Sequence, residues 1–178
     1  MNNATFFFNQ PKNEPVFSYA KGSKERDLLS KELEKQYNQC IEIPIIINGK
    51  EIRTGNVSEV VMPTEHSHVL AKFHKADKET VQKAIEAALE ARKKWENVHW
   101  IDRCSIMLRA AELLAGKYRY VINAATMLGQ GKNPFQAEID SACETIDFLR
   151  FNVHYASKIY AQQPLSDNSA INRLEYRG

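Results

Sequence analysis

The 178-residue sequence predicts a mainly α-helical chain with a small β-hairpin and no complete dinucleotide-binding sheet. Three observations carry this. Apolar residues recur at helical spacing through most of 77–163. One β-branched run meets Asn-Gly and resumes with alternation, the strongest short-range hairpin signal. Strands and helices do not alternate in the series that a doubly wound sheet requires.

Residues 1–22 hold Pro11, Pro15 and Gly22 among polar residues and read as an extended arm. Ser23 is a good N-cap, and a helix follows through Leu28, Leu29, Leu33 and Tyr37, so 1–43 form an arm and helix. The hairpin lies in Ile43-Pro44-Ile45-Ile46-Ile47, Asn48-Gly49 and Lys50-Glu51-Ile52-Arg53. Val57 to Met62 add a strand before Pro63, which makes 44–76 a β-hairpin and following strand region. Asp77 caps the next helix, in which Val81, Ala84, Ile85, Ala88, Leu89 and Trp95 repeat at helical spacing. Asp102 starts another, with Ile106, Met107, Ala110, Leu113 and Leu114 turned inward. Gly116 interrupts it, and a further helix runs over 117–128 until Gly129-Gln130-Gly131 ends it. Pro134 suits the first turn of the last and longest helix, which Pro164 stops. Helices thus dominate 77–165, and the polar tail 166–178, with Ile171, Leu174 and Tyr176, is read as a linker able to form an edge strand.

Hydrophobic residues at 43% suffice for a core, and a net charge of +2 gives no electrostatic footprint for nucleic acid. Lysines and arginines alternate with glutamates, as in Glu90 to Glu96, the pattern of a solvated face. No run approaches the roughly 20 apolar residues a bilayer requires, so no membrane partner is expected. The segment Met1 to Phe8 lacks the basic start of a signal peptide. Cys40, Cys104 and Cys143 are odd in number and contain no CxxC pair, which argues against a disulfide framework or zinc site. A reducing, cytoplasmic location follows.

On a wheel of roughly 100° per residue, the last helix sorts into three sectors. Ile139, Ala142, Cys143, Ile146, Leu149 and Val153 form an apolar side, and Glu138, Ser141, Thr145 and Asn152 a polar one. Asp140, Glu144 and Asp147 form an acidic stripe beside Phe148, Phe151 and Tyr155. Such a stripe is either a solvated face, a seat for a structural Arg or Lys, or a site for a substrate ammonium group; the neighbouring rings favour partial burial. Gly129-Gln130-Gly131-Lys132 fails as a phosphate loop, because Thr126 stands where the first glycine belongs and Asn133 replaces Ser or Thr. His66, His68 and His74 lack a third metal ligand at a recognised spacing and read as surface histidines. Cys143 faces the apolar side, Cys104 falls in a helix's first turn, and no base stands by any thiol, so the cysteines read as structural.

Ala124-Ala125-Thr126-Met127-Leu128-Gly129-Gln130-Gly131-Lys132, then Gln136-Ala137-Glu138-Ile139-Asp140 and Ile146-Asp147-Phe148-Leu149-Arg150-Phe151-Asn152, resemble the Δ1-pyrroline-5-carboxylate dehydrogenase branch of the aldehyde dehydrogenases. Asn13-Glu14-Pro15-Val16, the 46–55 hairpin, Ala84 to Arg92 and Asn172 to Arg177 follow in family order, so the likeness covers nearly the whole chain. The resemblance implies an α/β parent enzyme in which this chain is an incomplete Rossmann-type domain. In it, 77–165 are the helical layer of the NAD-binding domain and 166–178 lead toward its sheet. It also implies oxidation of L-glutamate γ-semialdehyde to L-glutamate in proline catabolism, with NAD as cofactor, a small-molecule substrate and a homo-oligomeric full enzyme. Such enzymes use a cysteine thiolate, a glutamate that activates water and an oxyanion-stabilising asparagine. None matches a position here, so the resemblance implies no catalytic and no cofactor-binding residue in this chain. One role carries over: Glu144 matches the helix glutamate that faces the substrate's α-amino group. The rival expectation is a non-catalytic helical interaction module derived from the same family.

Overall fold

The computed structural model describes residues 7–176; readings that fall on 1–6 and 177–178 lie outside the described residues. The arm 7–22 has no regular element and runs into α1 (Lys24–Tyr37), where Ser23 Oγ accepts the Arg26 N–H as expected of an N-cap. The β region is larger than one hairpin. Pro44 offers no N–H and divides the isoleucine-rich run into β1 (Ile41–Ile43) and β2 (Ile45–Ile47), which serve different sheets. β2 pairs antiparallel with β3 (Lys50–Ile52) across Asn48 and Gly49, both at positive φ (51° and 73°), as the Asn-Gly signal predicts. β4 (Val57–Met62) pairs antiparallel with β5 (Glu65–His74), and β1 adds to β5 in parallel, giving the order β1-β5-β4.

Asp77 caps α2 (Lys78–Trp95) through Oδ1, which accepts the Thr80 N–H. The next helix, α3 (Trp100–Ala115), begins earlier than Asp102. His99 is its cap, with Nδ1 accepting the Ile101 N–H, and Asp102 falls in the first turn, where an acid suits the helix dipole. α4 (Arg119–Gln130) takes in Gly129 and Gln130, and Gly131 alone supplies the left-handed cap at φ 67°. α1 packs on α4, and α3 on the helix that covers Glu144–Ala161, around two small cores. Tyr19, Leu29 and Ala124 form one; Ala111, Ala142 and Ile146 form the other. Ile106 and Met107, expected inward, are exposed, as are Val81, Ile85 and Leu89 of α2, because no described element covers them.

The last helical stretch is the main departure from expectation. α5 (Pro134–Ala137) is followed by a π-helical segment, Glu138–Cys143, and then by α6 (Glu144–Ala161). A π turn accommodates one extra residue, so it rotates the upstream part by roughly 100° relative to an unbroken α-wheel. Glu138 therefore leaves the polar sector and becomes fully buried, while Ile139 is partly exposed. The tail forms no strand among the described residues. Asp167 Oδ1 accepts N–H bonds from Ser169 and Ala170, and Gln163 Oε1 accepts that of Leu174, so local side chains meet donors that a ladder would otherwise need.

Candidate functional site

The acidic stripe lines a cavity of about 560 Å³ between α6 and the arm. Asp140, Glu144 and Asp147 stand on one wall with Phe148, Phe151 and Tyr155, and Asn13, Glu14 and Val16 form the other. The three carboxylates have different occupations. Lys132 Nζ lies 2.7 Å from Asp140 Oδ2. Asp147 accepts the Asn13 amide and the Glu14 N–H, each at 2.7 Å. Glu144 makes no hydrogen bond or ion pair among the described residues. It is exposed to the cavity beside an aromatic wall in which Phe151 and Tyr155 have centroids 6.3 Å apart.

Beneath this wall lies a buried charge network that the sequence did not reveal. Glu138 accepts from the Arg119 guanidinium, from Tyr19 OH at 2.6 Å, from Asn123 Nδ2 at 2.8 Å and from the Phe17 N–H at 2.8 Å. Arg119 also reaches Glu14 and the Pro15 carbonyl and stacks on Phe17, 3.9 Å from the ring centroid. Arg150 bridges Glu14 to Glu112. Burial alone would raise the Glu138 pKa, but the hydrogen bonds from Arg119, Tyr19 and the Phe17 N–H more than offset it and hold the carboxylate below its ordinary range. Burial likewise opposes the Arg119 charge, and bonds to Glu138 and Glu14 restore it. No local signal marks these partners, which stand 15 to 121 residues from Glu138.

No thiol is activated. Cys143 is buried, and desolvation followed by the Glu138 charge pushes its pKa up to about 11. Its Sγ lies 3.8 Å from Glu138 Oε1, yet that carboxylate already serves four donors and is held ionised, so it is no base. Cys104 is the fifth residue of α3 rather than first-turn, and burial raises its pKa in spite of Arg103. Cys40 is exposed. Of the histidines, His66 is exposed and His68 stacks on Tyr37. His74 is not a surface residue: it is buried, with Nδ1 accepting the Gly55 N–H and Nε2 on Glu42 at 2.6 Å. Among the described residues no cluster of three or more His, Cys, Asp or Glu side chains has metal-ligating geometry, and no helix is long and apolar enough to cross a membrane.

The described residues thus hold a helical layer, one small mixed sheet, a two-stranded hairpin and an acid-lined cavity. The sequence pattern described as "Aldehyde dehydrogenase family" matches residues 51–177, and the chain belongs to that family. Within it, the chain is 49% identical over 176 residues to a Δ1-pyrroline-5-carboxylate dehydrogenase of Agaricus bisporus, covering 98% of this chain and 32% of that protein. It is 47% identical over 166 residues to the mitochondrial human Δ1-pyrroline-5-carboxylate dehydrogenase, covering 93% and 30%. The solved structure of the Mycobacterium tuberculosis Δ-pyrroline-5-carboxylate dehydrogenase bound with NAD superposes with a TM-score of 0.94 at 42% identity, covering 99% of this chain and 33% of that one. The chain thus spans about a third of the length of the relatives it matches, and its fold is the corresponding part of the aldehyde dehydrogenase fold.

Proposed function

We propose that this chain is the N-terminal segment of an NAD-dependent dehydrogenase that oxidises L-glutamate γ-semialdehyde to L-glutamate, and that Glu144 binds the substrate's α-ammonium group. One observation carries the site. Among the described residues Glu144 is the one carboxylate of the stripe without an internal partner, and it faces a cavity walled by aromatic rings. A carboxylate so placed gives an ammonium ion a charge-assisted hydrogen bond. The names of the relatives support the substrate, and the NAD-bound structural neighbour supports the cofactor.

The described residues do not fit the cofactor itself. Gly129-Gln130-Gly131 closes α4 instead of opening a helix, so it presents a carbonyl end rather than the N–H groups a pyrophosphate needs. No step is therefore derived through NAD. In the full enzyme, 77–165 act as the helical layer of the NAD-binding domain, 166–178 lead toward its sheet, and the protein is a homo-oligomer. Three free cysteines support a reducing compartment, and the cytoplasm is the one proposed.

The test is kinetic. In the full-length enzyme, Glu144→Gln should lower kcat/KM for the semialdehyde by the worth of one charged hydrogen bond. That is roughly 1.5–3 kcal/mol, or about 10- to 150-fold. Propanal, which lacks the ammonium group, should be oxidised as before. An equal loss with both aldehydes would remove Glu144 from the ammonium site, and NADH formation by the 178-residue chain alone would overturn the reading of an incomplete enzyme.

A further inference from the structure

We propose that Asp147 is a positioning residue: its carboxylate fastens Asn13 and Glu14 across the acid-lined cavity, and this fastening sets how tightly the cavity holds the amino-acid end of the aldehyde. The inference rests on the reading of the cavity given above and assigns Asp147 a different task from Glu144.

Both Asp147 oxygens are engaged. Oδ1 accepts the Glu14 N–H and Oδ2 the Asn13 side-chain amide, at 2.7 Å each. The arm has no ladder or helix of its own, so side chains from the helices fix its path. Residues 14–19 are held deeply by Arg119, Arg150 and Glu138. Upstream, the next anchor is the Phe8 carbonyl on His154 Nδ1, at 2.8 Å. Asp147 therefore holds the span between those anchors, where the arm becomes the wall opposite Glu144. Without it, Asn13 and the residues before it are free to lift while the Glu14 side chain stays on its arginines, the cavity opens on that side, and water screens the Glu144 charge more strongly. The same carboxylate is half-buried and already satisfied, so a substrate cation gains less from it than from Glu144.

The role predicts a split between two substitutions. An asparagine at 147 keeps an oxygen for the Glu14 N–H, and its NH2 meets the Asn13 oxygen once that amide rotates. The fastening survives although the charge is gone. Alanine removes both. In the full-length enzyme, Asp147→Ala should raise KM for the semialdehyde at least tenfold with kcat within about twofold, and should speed tryptic cleavage after Lys12, in the exposed part of the span. Asp147→Asn should stay near the parent in both readouts. Asn13→Ala, which leaves α6 untouched, should also speed cleavage. Unchanged cleavage in Asp147→Ala, or an Asp147→Asn enzyme as impaired as Asp147→Ala, would overturn the proposal; the second result would give Asp147 a direct charge contact instead. If the parent enzyme does not oxidise the semialdehyde, the functional reading falls and the cleavage rates alone decide the fastening.

Discussion

Glu138→Gln probes the fold at its most concentrated point. The side chain is fully buried and meets the Arg119 guanidinium, the Tyr19 hydroxyl, the Asn123 amide and the Phe17 N–H. Removing one partner of a buried ion pair costs about 3–5 kcal/mol, because the other charge stays buried without compensation. Glu14 still faces Arg119 after the change, which puts the glutamine variant at the lower end, about 3 kcal/mol. Glu138→Ala also strips three neutral donors of their acceptor and belongs near the upper end, about 5 kcal/mol. Against a typical domain stability of about 5–15 kcal/mol, that is a large share. Urea unfolding followed by circular dichroism measures both. Combined with Arg119→Met, the cost should fall well short of the sum of the single changes, since the second removes the charge the first orphaned. The pH dependence has a definite sign. The folded pKa of Glu138 is depressed, so its contribution is complete above the ordinary carboxylate pKa and is lost as pH falls through the lower folded value. The gap between parent and glutamine variant should shrink only in acid. A cost under about 1 kcal/mol, or strict additivity with Arg119→Met, would refute the network as an organising element.

Two further outcomes are expected. Gly131→Ala forces a β-carbon into a left-handed backbone at φ 67° and should cost about 1–2 kcal/mol in the same assay; the nearest atom, Thr64 Cγ2 at 3.7 Å, leaves room, so strain alone is read. At pH 8 Ellman's reagent should label exposed Cys40 quickly and leave Cys143, its pKa near 11, unmodified until the chain unfolds. Fast labelling of Cys143 in the folded chain would contradict its burial.

What the sequence disclosed follows the range of each interaction. The caps Ser23 and Asp77 and the Asn48-Gly49 turn act within three residues, and each stands where local rules place it. The pairing of β1 with β5 joins Ile41 to Ala71, and no local pattern announces a parallel partner thirty residues away. His74 looked like a surface histidine because its partners, Glu42 and Gly55, belong to other segments. The wheel grouped Asp140, Glu144 and Asp147 correctly, since two of the three lie within or beside one uninterrupted helix, α6. It misplaced Glu138 because a single wheel assumes one period throughout, and the π segment changes it. Family likeness pointed to Glu144 and not to Asp147; the structure adds that both Asp147 oxygens are already taken by the arm.

The ion pairs of Glu14 join residues 105 and 136 positions apart along the chain. On a ribosome adding ~5–20 residues per second, Arg150 is made roughly 7–27 s after Glu14. For the first 105 residues of that interval the nascent arm has neither counter-ion, and Glu138, the acceptor for Tyr19 and the Phe17 N–H, is made later still. Docking of the arm is thereby tied to completion of the later helices, and a ribosome stalled before Arg119 would display a loose, protease-accessible arm on the elements already made.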